Sequence, residues 1–180
     1  MIDIYMRNIK DAVVAPLTRV LERQTFSPNY ITIASGIVGL IGIFFSAMGQ
    51  RYVAFPFCLF GRILDGLDGA YARLTKQTSD FGGYLDIIVD FTIYGLTPLG
   101  VIVAQPSFGA WVALVILEVT FFVNAAGLFF LSALIEKNAH VKKEYEKDKK
   151  EVTTLKMPPA LIEGAESLIL FACIVLFCEY

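Results

Sequence analysis

The sequence predicts an all-α protein, a polytopic transmembrane helical bundle of about five spans preceded by a helix lying on the membrane surface. Three observations predict it. The chain is 56% hydrophobic with a mean hydropathy of +0.63, too apolar for an ordinary soluble domain. Its apolar residues fall in blocks of roughly the 20 residues that a helix needs to cross a bilayer. Lys and Arg gather in alternate connections between those blocks, the asymmetry expected of a chain threading back and forth across a membrane.

Residues 3–24 place Ile4, Ile9, Val13, Leu17, Val20 and Leu21 roughly on one face, with Arg7, Lys10, Arg19 and Arg23 elsewhere. That pattern suits an interfacial helix, kinked or split at Pro16. In "SPNYIT", Ser27 is the expected N-cap and Pro28 sits in the first turn, opening a first span from Ile31 to about Met48. Gly36, Gly39 and Gly42 thin that span for close approach of another helix. The second span is expected from about Tyr52 to Ala72, the third from about Phe81 to Val103, and the fourth from about Ala110 to Leu134. Residues 135–158 interleave lysines with acids at helical spacing, as solvated helix leaving the membrane would. A fifth span follows over 159–180. No composition shift divides the chain, so residues 1–180 are expected to form one membrane domain, with four spans within 31–134.

Charge orients the layout. Arg7, Lys10, Arg19 and Arg23 precede span one, Arg73 and Lys76 join spans two and three, and seven lysines join spans four and five. Only Arg51 falls on the other side. The N-terminus and the connection beside span two are therefore expected to face the cytoplasm. The net charge of −2 argues against a nucleic-acid partner. The three cysteines lack metal-type spacing, and the single histidine, His140, lies in the charged connection, which leaves no parts for a Ser-His-Asp or His-rich metal mechanism. The "DGLDG" string fails as a calcium loop, because Leu67 and Lys76 stand where acids are required.

The chemistry lies in carboxylates inside apolar runs. Asp65 and Asp68 lie about 12 and 8 Å from the cytoplasmic end of span two, and Asp86 and Asp90 about 8 and 13 Å from the same end of span three, at 1.5 Å per residue. Spacings of three and four keep each pair on one helical face, so two antiparallel neighbours can aim all four at one place. Four bare carboxylates in a low dielectric need protons, cations or water. Arg62 and Arg73 do not suffice, whereas two divalent cations do. Oxygen-only ligands select Mg²⁺ or Mn²⁺ over zinc, and such a pair clamps a phosphoryl group together with its entering and leaving oxygens. Gly66, Gly69, Gly82 and Gly83 leave room beside the acids, and Arg73 is placed to hold a phosphate.

The string "DGLDGAYARLTKQTSDFGGYLDIIVD" resembles the signature of the CDP-alcohol phosphotransferases (CDP-alcohol phosphatidyltransferases) at Asp65, Asp68, Gly69, Ala72, Arg73, Gly82, Asp86 and Asp90. The "SPNYIT" stretch, with Pro28, Asn29 and Thr32, is similar to the one that leads the family's first span. The resemblance is strongest over residues 27–105. It implies a homodimeric membrane enzyme of phospholipid biosynthesis that moves a substituted phosphate from a CDP-linked donor, CDP-diacylglycerol by expectation, to an alcohol, releasing CMP. By the same resemblance Asp65, Asp68, Asp86 and Asp90 hold two Mg²⁺ or Mn²⁺ ions, and Asp90 deprotonates the acceptor. Gly69, Arg73, Asp65, Asp68, Gly82, Asn29 and Thr32 border the CDP and pyrophosphate. The family's usual count is six spans, so five implies a fragment or a dispensable last helix.

Arg62, one turn before Asp65, either pairs with that acid or faces a phosphate. Glu163 and Glu166, at the start of span five, suit either acceptor contact or a helix N-terminus, where acids complement the dipole. The absence of extra basic residues in span five leans toward an unphosphorylated acceptor. The alternatives are a choline- or ethanolamine-type phosphotransferase with a diacylglycerol acceptor, a cation transporter, and an inactive membrane scaffold. The transporter reading leaves Gly69, Arg73 and the fixed spacing unexplained.

Overall fold

The structure, a computed structural model, describes residues 26–143, with side chains through 138. The expected interfacial helix at 3–24, the fifth span at 159–180 and most of the charged connection lie outside the described residues. Those described form four helices and no strand: α1 (Asn29–Ala47), α2 (Arg51–Leu74), α3 (Asp80–Ala104) and α4 (Phe108–Lys143). Each expected span within 31–134 is present as a helix, with ends shifted by a few residues. The longest extension is that of α4, which carries the helix past Leu134 into the lysine-rich connection. Its apolar run ends at Ile135, before Glu136 and Lys137.

Local chemistry sets the boundaries. Pro28 already has helical angles (φ −51°, ψ −32°), and Tyr30 N donates to Ser27 O at 3.1 Å, so the proline enters the first turn of α1 where its missing N–H costs nothing. At the other end Gly49 takes φ +77°, Gly49 N donates to Ser46 O, and Gln50 N donates to Phe45 O. This is a Schellman ending with glycine at the left-handed position. The end of α2 repeats the pattern with Lys76 at φ +56°: Lys76 N donates to Arg73 O and Gln77 N to Ala72 O. Ser79 then caps α3, its Oγ accepting from Gly82 N at 3.0 Å, and Asp80 places an acid in the first turn. Two opposed helix terminators only a few residues apart turn the chain sharply between α2 and α3.

Three of the four helices, α1, α3 and Phe108–Asn138 of α4, are long and apolar enough to cross a membrane. Their large apolar side chains are widely exposed, Phe44 by 61%, Phe81 by 62% and Phe122 by 74%, as helices facing lipid require. At 24 residues α2 is also long enough, yet it is not among the three, because Arg51, Arg62, Asp65, Asp68 and Arg73 lower its hydropathy. The charges that lower it are those of the candidate site.

The chain divides into two compact units, with the boundary inside α4 after Leu114. In the first, α1 packs directly on both α2 and α3. A Cβ on Gly61 would stand 3.2 Å from Gly39 N and 3.3 Å from Ser35 O, so α2 crosses α1 backbone against backbone. On the α3 side, Gly36 and Gly39 of α1 receive Val89 and Ile93. Near residue 26, Tyr71 stacks on Phe26 with ring centroids 5.1 Å apart, and with Ile31 and Leu67 it forms a small buried cluster. The second unit holds the remainder of α4, which exposes Val115, Ile116, Val119, Phe122 and Val123.

Candidate active site

α1 packs on both α2 and α3, and polar side chains join α2 to α3. Arg62 of α2 reaches Asp90 and Tyr94 of α3, while Asp65 of α2 groups with Asp86 and Asp90. Numbers that rise along α2 as they fall along α3 mark the pair as antiparallel, which brings Asp65 level with Asp86 and Asp90. One carboxylate oxygen from each of Asp65, Asp86 and Asp90 lies within 4.8 Å of the other two. All three residues are partly buried.

Arg62 sits among them. Its Nη1 is 2.8 Å from Asp90 Oδ1 and its Nη2 is 3.4 Å from Asp65 Oδ1, with the arginine side chain only 14% exposed. Nη1 donates a hydrogen bond to Tyr94 Oη at 2.9 Å, and the guanidinium carbon lies 5.0 Å from the centre of the Tyr94 ring. Asp65 Oδ1 and Asp90 Oδ1 are both buried, and neither receives a hydrogen bond with aligned geometry, so the guanidinium supplies them charge without a directed N–H. Buried carboxylate oxygens brought together with unused lone pairs fit a hard divalent cation, for which oxygen donors at close quarters are the preferred set.

The carboxylate of Asp68, three residues on, is not part of that group of three. It is 5% exposed, its Oδ2 accepts from Thr32 Oγ1 at 2.5 Å, and its Oδ1 lies 2.5 Å from Gly69 N. Thr32 is itself 3% exposed, so this bond between α1 and α2 is sheltered from water. Replacing Thr32 with Val removes the donor while keeping the shape. We expect it to destabilise the folded protein by about 1.5–3 kcal/mol, the usual worth of a hydrogen bond to a charged group. Resistance to unfolding by SDS in mixed micelles measures that loss, and Thr32→Ser should restore it.

The other residues expected near the nucleotide lie around the same ends of α1, α2 and α3. Arg73 is exposed in the last turn of α2, and its Nη1 would stand 3.3 Å from a Cβ on Gly69. Gly82 lies where a Cβ would meet Ser79 Oγ at 3.1 Å and Asn29 Oδ1 at 3.2 Å, so Asn29 reaches from α1 to the first turn of α3. Glu163 and Glu166 lie outside the described residues. Tyr94 had no place in the sequence reading, although it stands four residues beyond Asp90 and therefore on the same face of α3. That spacing was the available signal.

A family model described as CDP-alcohol phosphatidyltransferase matches residues 25–178. The inner membrane protein YnjF of Escherichia coli is 40% identical over 89 residues, which are 49% of this chain and 43% of that protein. A CDP-diacylglycerol–serine O-phosphatidyltransferase of Helicobacter pylori is 39% identical over 71 residues, 39% of this chain and 30% of the relative. An archaetidylinositol phosphate synthase of Pyrococcus horikoshii is 33% identical over 88 residues, 47% of each protein. The chain thus matches less than half the length of each of these curated relatives.

Proposed function

The chain belongs to the CDP-alcohol phosphatidyltransferase family, and from that premise we propose that it is an integral-membrane transferase moving a phosphatidyl group from CDP-diacylglycerol to an alcohol hydroxyl, with release of CMP. The observation that carries this reading is the convergence of Asp65, Asp86 and Asp90, with buried oxygens of Asp65 and Asp90 lacking hydrogen-bond donors. Asp65, Asp68, Asp86 and Asp90 are the residues that would hold two divalent ions, Mg²⁺ or Mn²⁺. When bound, such ions neutralise the carboxylates and the pyrophosphate and stabilise the departing CMP.

The chain's own groups then have distinct roles. Asn29, Gly69, Arg73 and Gly82 border the CDP moiety, with the exposed Arg73 guanidinium holding a phosphate oxygen and Gly69 admitting it by having no side chain. Thr32 acts on the same region by fixing Asp68. Asp90 takes the proton of the acceptor hydroxyl. The acceptor oxygen bonds to the phosphorus remote from cytidine as the bond from that phosphorus to the CMP oxygen breaks, the two oxygens standing in line. Water is kept from the deep end by Arg62 and Tyr94, whose contacts close the space between α2 and α3.

The charge pattern supports a cytoplasmic site, and family membership supports a homodimer. The lack of added basic residues in span five supports an unphosphorylated acceptor. Purified full chain in proteoliposomes, given CDP-diacylglycerol and Mg²⁺ or Mn²⁺, should release CMP with one member of an alcohol panel and stop on addition of EDTA. The names of two relatives put serine and inositol first in the panel, followed by inositol phosphate, glycerol phosphate, choline and ethanolamine. Silence across the panel with both metals present would exclude the assignment.

A further inference from the structure

The two oxygens that Arg62 approaches, Asp65 Oδ1 and Asp90 Oδ1, are the same two that are buried without a hydrogen-bond donor. A guanidinium and a divalent cation cannot both make their closest approach to one pair of oxygens. Arg62 also has a hold that does not depend on the acids, the hydroxyl and ring face of Tyr94. We propose that Arg62 is an internal counter-cation, seated on Asp65 and Asp90 in the absence of metal and yielding them to a divalent ion while Tyr94 retains it. The Arg62–Tyr94 pair thereby sets the affinity of the site for metal.

The inference rests on the divalent-metal reading given above and concerns how this chain tunes it. Acids packed together in a low-dielectric interior repel one another, and breaking a buried ion pair leaves an uncompensated charge. Arg62 lowers that repulsion, so α2 and α3 can pack before metal arrives. The same positive charge opposes the incoming cation. Tyr94 has its largest effect in the metal-bound state, where its hydroxyl is the guanidinium's remaining hydrogen-bond partner among these groups. Without a bound ion, the ion pairs to Asp65 and Asp90 also hold the guanidinium. Arginine suits the position because one planar fork spans Asp65 and Asp90 at once, which a lysine ammonium does not.

The test is equilibrium binding of Mn²⁺ to the purified full chain in nanodiscs, read from the electron paramagnetic resonance signal of free Mn²⁺ and needing no turnover. Arg62→Gln should tighten binding by about tenfold, because a unit charge close to the ion is removed. Tyr94→Phe should weaken it by about threefold, and that effect should vanish in the Arg62→Gln background. Arg62→Lys, which keeps the charge but reaches only one acid, should tighten binding by a smaller factor, and with Tyr94→Phe it carries the test should the glutamine variant not fold. Wild-type binding that is unchanged or weakened by Arg62→Gln overturns the proposal and leaves the metal reading standing. So does a Tyr94 effect that persists in the double variant. Absence of Mn²⁺ binding by the wild-type chain overturns both.

Discussion

Asp90→Asn is expected to lower CMP release by about 10²–10⁴-fold, the range that loss of a general base produces. Asparagine keeps the size and planarity of the side chain but cannot accept the acceptor's proton and is a poor ligand for a hard cation. The fold should survive. Arg62 keeps Asp65 at 3.4 Å and the Tyr94 hydroxyl at 2.9 Å, so removing the charge of Asp90 does not strand the guanidinium. The initial rate of CMP release in proteoliposomes, with circular dichroism reporting helix content, separates lost chemistry from lost structure. A variant that is folded and as fast as the wild type would remove Asp90 from the mechanism. The same substitution at Asp86 should also be severe, through metal binding.

Gly61→Leu is expected to abolish activity by a different route. Its Cβ would stand 3.2 Å from Gly39 N, 3.3 Å from Ser35 O and 3.4 Å from Gly39 Cα, all backbone atoms that no rotamer change can move. Overpacking of this kind costs about 1–3 kcal/mol and sometimes more, and here it must push α1 and α2 apart. The effect reaches the site because α1 also seats α3, with Val89 and Ile93 packed on Gly36 and Gly39. Displacing α2 on α1 therefore shifts Asp65 relative to Asp86 and Asp90. Unfolding by SDS should begin at a lower detergent fraction and activity should fall with it, with Gly61→Ala intermediate. Gly109, whose Cβ would meet nothing within 4 Å, provides the control, since alanine there should change neither quantity. A Gly61→Leu chain as stable as the wild type would refute the backbone crossing.

The contrast between these two positions explains what the sequence reveals and what it conceals. Asp65, Asp86 and Asp90 were readable because a carboxylate in an apolar run is costly and its period places it on a helix face. The helices within 31–134 were readable from runs of roughly bilayer length that are apolar apart from a few charges. Gly36, Gly39 and Gly42 announced close packing but not its partner, and the direct contact of α1 with both α2 and α3 depends on neighbours that hydropathy does not encode. The sorting of the four aspartates was hidden likewise. Spacing puts Asp68 on the face of Asp65, yet a buried Thr32 hydroxyl from another helix engages it. Arg62 was ambiguous because either an acid or a phosphate satisfies a guanidinium. It pairs with Asp65, as one of the two readings expected, and its closer partners, Asp90 and Tyr94, lie on α3, about thirty residues away in sequence. The marginal hydropathy of α2 follows from the same residues, since those that make the site remove the helix from the strongly apolar class.

The most direct test of the central claim, that α2 and α3 together form a divalent-cation site, is X-ray diffraction at the manganese absorption edge from crystals of the full chain grown with Mn²⁺. An anomalous peak in contact with the carboxylates of Asp65, Asp86 and Asp90, and lost from crystals of Asp90→Asn, is the predicted result. Ordered carboxylates with no anomalous peak among them at millimolar Mn²⁺, or a peak that Asp90→Asn leaves unchanged, would contradict it.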